Sequence, residues 1–182
     1  DKSNLEAAEK FFKDNCIGDK VLVVNPFMGG SAKNITDKQY ADILREVIDR
    51  IEEVEIIVTA HISDEERGLK LLEEIGKDKV YLFANGGELL NIGAIIDRAK
   101  VYFGGSTGPT HIAGSLQKSI VALYPKKATQ SLVRWGVFGN EDVTYIIPDE
   151  NTKENYKHKE FDSYNEDVKE KIVQAIVERM ER

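Results

Sequence analysis

Short β-branched and aromatic runs alternate along this chain with longer stretches of helical period, and that alternation restricts the fold more than any other feature. It is the pattern of a parallel α/β sheet. Six runs read as strands: Val21–Val24, Glu55–Thr59, Val80–Phe83, Val101–Phe103, Ile120–Tyr124 and Thr144–Pro148. A short helix is expected over 5–13. Between the first two strands Thr36 and Gln39 form a capping-box pattern ahead of a stripe of Tyr40, Ile43, Leu44, Val47, Ile48 and Ile51. Ser63 and Glu66 repeat the box ahead of Leu69, Leu72 and Ile75, with Gly76 as the stop. A helix over about 88–98 should bury Leu89, Ile92, Ile95 and Ile96, and Pro109 suits the first turn of a short helix reaching Ser115. Residues 126–142 read as a long loop and 149–162 as polar and irregular. Ser163 and Glu166 cap a last helix whose inner face runs from Val168 through Ile172, Val173, Ile176 and Val177 to Met180. Strands apolar along their whole length are buried on both faces, so helices must cover both sides. The expected fold is α/β: a Rossmann-like, doubly wound parallel sheet of about six strands, forming a single domain over residues 1–182. Its ligand belongs at the C-terminal ends of the strands.

Of the 182 residues, 41% are hydrophobic, enough for a sizeable core. Lys and Arg number 25 against 32 Asp and Glu, a formal charge of −7. That balance argues against a nucleic-acid partner held by neutralising its backbone. One cysteine, Cys16, excludes an intramolecular disulfide and any multi-cysteine metal site, and it fits a reducing, cytoplasmic setting. No apolar run reaches the roughly 18 residues of a spanning helix, so no transmembrane segment is expected. The chain opens on Asp1 without a Met or a signal pattern, as expected of a processed product or of a fragment excised from a larger protein.

Three loops follow strands and open on one edge of such a sheet. The first carries Gly29, Gly30, Ser31, Ala32 and Lys33: glycines for close backbone approach, a hydroxyl, and a mobile cation before a helix N-terminus. Alone it is also what an ordinary surface turn looks like. The second, Asn85-Gly86-Gly87-Glu88, can offer backbone groups to a flat base or serve as a plain turn, with Glu88 complementing the helix dipole. The third, Gly104-Gly105-Ser106-Thr107-Gly108-Pro109-Thr110-His111, is the most specific. It sets two hydroxyls and free N–H groups at a helix mouth, the arrangement that binds phosphate. His111 in the first turn can stabilise charge on a leaving diphosphate. His61 at a strand end, and Arg134 with Trp135 in the long loop, are further candidates for the pocket. His158 reads as a solvated loop residue. No HExxH or clustered carboxylate–His pattern appears, so neither a bound metal nor a cofactor is expected.

The third loop continues through Ile112-Ala113-Gly114-Ser115-Leu116 to Ser119-Ile120-Val121-Ala122-Leu123-Tyr124, and this block resembles the signature of glycosyltransferase family 9, the lipopolysaccharide heptosyltransferases. Val23-Val24-Asn25-Pro26 through Ser31-Ala32-Lys33-Asn34-Ile35 is similar to the family's H-P-G-x-S-x-x-K-x-W stretch, and Gly87-Glu88-Leu89-Leu90-Asn91-Ile92 to its S-L-x-E-L-A segment. The order and spacing of the three fit over about residues 20–147.

The resemblance implies the C-terminal, donor-binding half of a GT-B enzyme, with the N-terminal acceptor domain absent from this chain. It implies inverting, metal-independent transfer of a sugar, heptose from ADP-heptose, to a lipopolysaccharide core acceptor that the missing domain would hold. Donor-binding residues are then Gly29, Gly30, Ser31, Lys33, Gly87, Glu88, Ser106, Thr107, Gly108 and His111. Ser31 and Lys33 would meet the phosphates, Gly87 the adenine, and Thr107, Gly108 and His111 the diphosphate and sugar. The resemblance implies a cytoplasmic enzyme, peripheral at the inner membrane of a Gram-negative bacterium. No catalytic base is assigned in this chain, so it is expected to bind donor without turning over alone. Three positions depart from the pattern: Ser106 replaces the family's Asp, Ile35 its Trp, and Thr59–Asp64 diverges from its G-G-x-x-(D/E) segment. These keep open a non-catalytic nucleotide-sugar-binding module or a GT-B-shaped epimerase.

Overall fold

The computed structural model describes residues 2–30, 32–86 and 88–182. In chain order the elements are α1 (Lys2–Asp14), β1 (Val21–Asn25), α2 (Asp37–Arg50), β2 (Glu55–His61), α3 (Glu65–Ile75), β3 (Val80–Asn85) and α4 (Leu89–Asp97). Then follow β4 (Val101–Gly105), α5 (Gly108–Ser115), β5 (Ser119–Leu123), α6 (Leu132–Trp135), β6 (Val143–Ile146) and α7 (Glu166–Glu181). All five strand pairings are parallel, in the order β3-β2-β1-β4-β5-β6. The order reverses between β1 and β4, which opens a crevice beyond their C-terminal ends.

Successive strand residues face opposite sides, and β1 shows both. Leu22 and Val24 point into a core closed by α2, α3 and α7, where Tyr40, Leu44, Leu71, Ile172 and Ile176 are buried. Val21 and Val23 point into a second core under α1, α4 and α5, with Phe12, Ile95, Tyr102 and Ala113. Helices therefore cover both faces.

Local signals differ in how they survive. The capping box at α2 forms: Gln39 N–H donates to the Thr36 hydroxyl, and Thr36 N–H to Gln39 Oε1. The box expected from Ser63 and Glu66 does not. His61 Nδ1 accepts the Ser63 N–H at 3.1 Å and lies 2.7 Å from its hydroxyl, so residues 62–64 make a 3₁₀ turn and α3 starts at Glu65. Gly68 packs against Leu82, which sets Gly68, Leu71 and Ile75 inward and leaves Leu69 half exposed rather than buried. At α7 the cap is Asn165, which accepts the Val168 N–H, because Ser163 is engaged by Glu154.

Residues 149–162 are irregular yet pinned down. Asp149 is fully buried, accepting the Lys126 N–H at 2.9 Å and the Tyr156 hydroxyl. Asn34 N–H donates to the Lys159 carbonyl and Phe161 N–H to the Asn34 carbonyl, each at 3.0 Å. This strap thus lies along the loop after β1.

Candidate functional site

At the C-terminal edge the loops after β1, β2, β3 and β4 surround a hollow of about 380 Å³. Phe27, Met28 and Gly29 form one wall, His61, Ser63 and Asp64 the second, and Leu89, Ile92, Thr107 and Gly108 the third. A second hollow, also about 380 Å³, lies beyond Thr107 and Gly108. It is bounded by Ala32, Ser106, His111, Thr129, Gln130 and Trp135. The two share Thr107 and Gly108 and so meet at the N-terminus of α5.

That junction is built from small residues for a reason. The first N–H groups of a helix have no partner within it. Pro109 supplies none, so the donors at this helix start are the N–H groups of Gly108 and Thr110, with the Thr107 hydroxyl making no cap bond to them. Beneath them the fully buried Thr110 hydroxyl donates to the Gly105 carbonyl and lies 3.1 Å from the Tyr102 hydroxyl and 3.2 Å from that of Thr107. Burial pushes the Tyr102 phenol well above its ordinary value, the Thr110 and Thr107 hydroxyls opposing, so it stays neutral. A side chain at Gly105 would strike Met28 Sδ, so only glycine lets the loops after β1 and β4 close on each other. The buried Tyr124 hydroxyl donates to the carbonyl of Trp135, which lines the second hollow, at 2.7 Å. Its phenol is pushed up to about 12 by burial, against a hydrogen bond with Ser106.

The expected site residues divide. Ser106, Thr107, Gly108 and His111 line the second hollow, and Gly29 the first. Gly30, at φ +82°, borders a third hollow of about 390 Å³ that shares Met28, Gly29 and Asp64 with the first. Ser31 and Gly87 lie outside the described residues. Glu88 lines neither main hollow, its carboxylate accepting from Asn4 at 3.2 Å. Lys33 is turned inward. Its ammonium lies 3.0 Å from Glu154 Oε1 and donates to the carbonyls of His158 and Glu160. Hydrogen bonds from Ser163, Asp162 and Lys33 hold the Glu154 carboxyl below its usual range although burial opposes them. His158 pairs with Asp162 on the surface, away from all three hollows.

The chain matches the family model described as "Glycosyltransferase family 9 (heptosyltransferase)" over residues 1–165. It belongs to glycosyltransferase family 9. A Haemophilus influenzae protein described as a glycosyltransferase is 23% identical over 145 residues, covering 78% of this chain and 42% of the relative. Among solved structures, a family 9 glycosyltransferase from Veillonella parvula superposes with a TM-score of 0.74 at 13% identity, covering 96% of this chain and 51% of that one. The ADP-heptose lipopolysaccharide heptosyltransferase II of E. coli gives 0.71 at 15%, with the same coverage. An E. coli heptosyltransferase with ADP gives 0.67 at 12%, covering 93% and 48%. The likeness is one of fold, and the chain spans about half the length of these relatives.

Within this family 9 domain, residues outside the expected donor-binding set also line the hollows. Asp64 is the clearest: it precedes α3 without capping it and borders both the first and third hollows. Its position just past the end of β2 was the available signal, since that is where a Rossmann sheet places its ribose acid. His61 lines the first hollow, and because its Nδ1 accepts, the ring proton is assigned to Nε2. No helix among the described residues is long and apolar enough to cross a membrane.

Proposed function

We propose that this domain binds the donor of an inverting, metal-independent glycosyltransferase, heptose carried by ADP, for transfer to a lipopolysaccharide core acceptor. The observation that carries the reading is the junction of two hollows at Thr107 and Gly108, in a chain of this family. A nucleotide sugar has that shape: a nucleoside and a sugar joined by a diphosphate.

In this reading the nucleoside fills the first hollow against Phe27, Leu89 and Ile92, and Asp64 accepts from the ribose hydroxyls. The diphosphate crosses the α5 N-terminus, where N–H donors and the helix dipole favour an anion. The sugar enters the second hollow between Ser106 and Trp135. His111, in the first turn of α5, donates to the diphosphate as it leaves with the electron pair of the broken glycosidic bond. The acceptor hydroxyl needs a general base, which the other half of the enzyme supplies, so this domain alone binds without turning over. Lys33 serves from beneath, as the anchor of the strap.

Thermal shift and calorimetry with ADP, ADP-heptose, UDP and UDP-sugars test this. Stabilisation by the adenine nucleotides, about 2.7 kcal/mol at a hundredfold excess over Kd, and its loss in Thr107→Ala are expected. No response to any nucleotide would sink the reading.

A further inference from the structure

The loop after β1 was expected to offer Lys33 to an anion, yet Lys33 is 2% exposed and spent on Glu154 and two carbonyls. Another cation stands over the same loop. The strap runs beside Asn34, and its Lys159 reaches back so that Nζ lies 3.6 Å from where a side chain on Gly30 would begin. Gly30 holds φ +82°, a conformation that side-chain-bearing residues rarely adopt, so the position favours glycine.

Lys159 is exposed, and among the described residues its ammonium has neither a carboxylate nor a carbonyl partner. The neighbouring Arg67 is committed, giving both ends of its guanidinium to Asp37 at 2.6 and 2.7 Å. The hollow under Lys159 joins the first hollow through Met28, Gly29 and Asp64 and the second through Ala32. Asp64 and Glu160 border it too, so a diphosphate lying against Gly29, Gly30 and Ala32 needs a cation to offset them.

We infer that Lys159 is the phosphate-binding cation of the first loop, delivered by the strap, and that Lys33 is the positioning residue that fastens the strap. This rests on the nucleotide-sugar reading above. The chain is titrated with ADP and with adenosine, as wild type, Lys159→Ala and Lys159→Arg. Lys159→Ala should weaken ADP about tenfold, the scale of one charge-assisted hydrogen bond, and leave adenosine unchanged, while Lys159→Arg keeps most of the ADP affinity. Wild-type binding of ADP with Lys159→Ala equal to it, or an equal loss on adenosine, would overturn the role of Lys159 alone. A wild type that binds neither overturns the nucleotide reading, and this inference with it.

Discussion

The Lys33 ammonium and the Glu154 carboxylate meet at 3.0 Å with side chains only 2% and 1% exposed, and they join the loop after β1 to a segment more than a hundred residues later. Glu154 also accepts from the Ser163 hydroxyl and from the Asp162 and Ser163 N–H groups. Removing one partner of a buried pair strands the other charge, at a cost of about 3–5 kcal/mol. Lys33→Met and Glu154→Met are each expected to destabilise on that scale in urea melts. The double variant should recover much of the loss, because it leaves no orphaned charge.

The same pair predicts an acid response. The Glu154 carboxyl is held below the ordinary 4.5 by hydrogen bonds from Ser163, Asp162 and Lys33, which outweigh the opposing effect of burial. A group whose folded pKa is depressed contributes stability that is fully present above its unfolded value and lost as pH falls through the folded one. Stability measured from neutral pH down should therefore fall below about pH 4.5, and Glu154→Gln should lose part of that slope. Equal slopes in both proteins would count against the pair.

Gly105→Ala tests the closure of the two loops. The added methyl meets Met28 Sδ, so overpacking should cost about 1–3 kcal/mol and weaken nucleotide binding by displacing Met28 from the first hollow. In a Met28→Ala background the stability cost should largely vanish. If it persists unchanged, the contact is not the cause.

Thr110→Val keeps the shape and removes the hydroxyl. The Gly105 carbonyl and the buried Tyr102 hydroxyl would lose their shared partner, at a cost of about 1–3 kcal/mol for an unsatisfied buried polar group. Tyr102→Phe in the same chain should reduce the loss, which a double-mutant cycle would measure.

Much of the fold was legible in advance because apolar periodicity reports burial directly. The alternation of strands and helices, the stripe from Tyr40 to Val47 and the third loop with Pro109 all appear where their spacing places them. Capping patterns were less reliable. A hydroxyl at the right spacing still goes to the best partner nearby, His61 for Ser63 and Glu154 for Ser163. Leu89 follows the helical period yet stays half exposed at the mouth of the first hollow.

By itself the sequence determined the class of fold and put the third loop at the edge of the sheet where the hollows open. Those depend on hydrophobic period and on backbone freedom at Gly and Pro, both local properties. Only the tertiary structure decided what the polar side chains do. Lys33 has a length and charge suited to a phosphate, and nothing near it in sequence says otherwise. Its partners Glu154, His158 and Glu160 arrive from a distant strap. An ammonium buried beside a carboxylate and two carbonyls has exchanged water for fixed partners, and that exchange is set by where the chain returns.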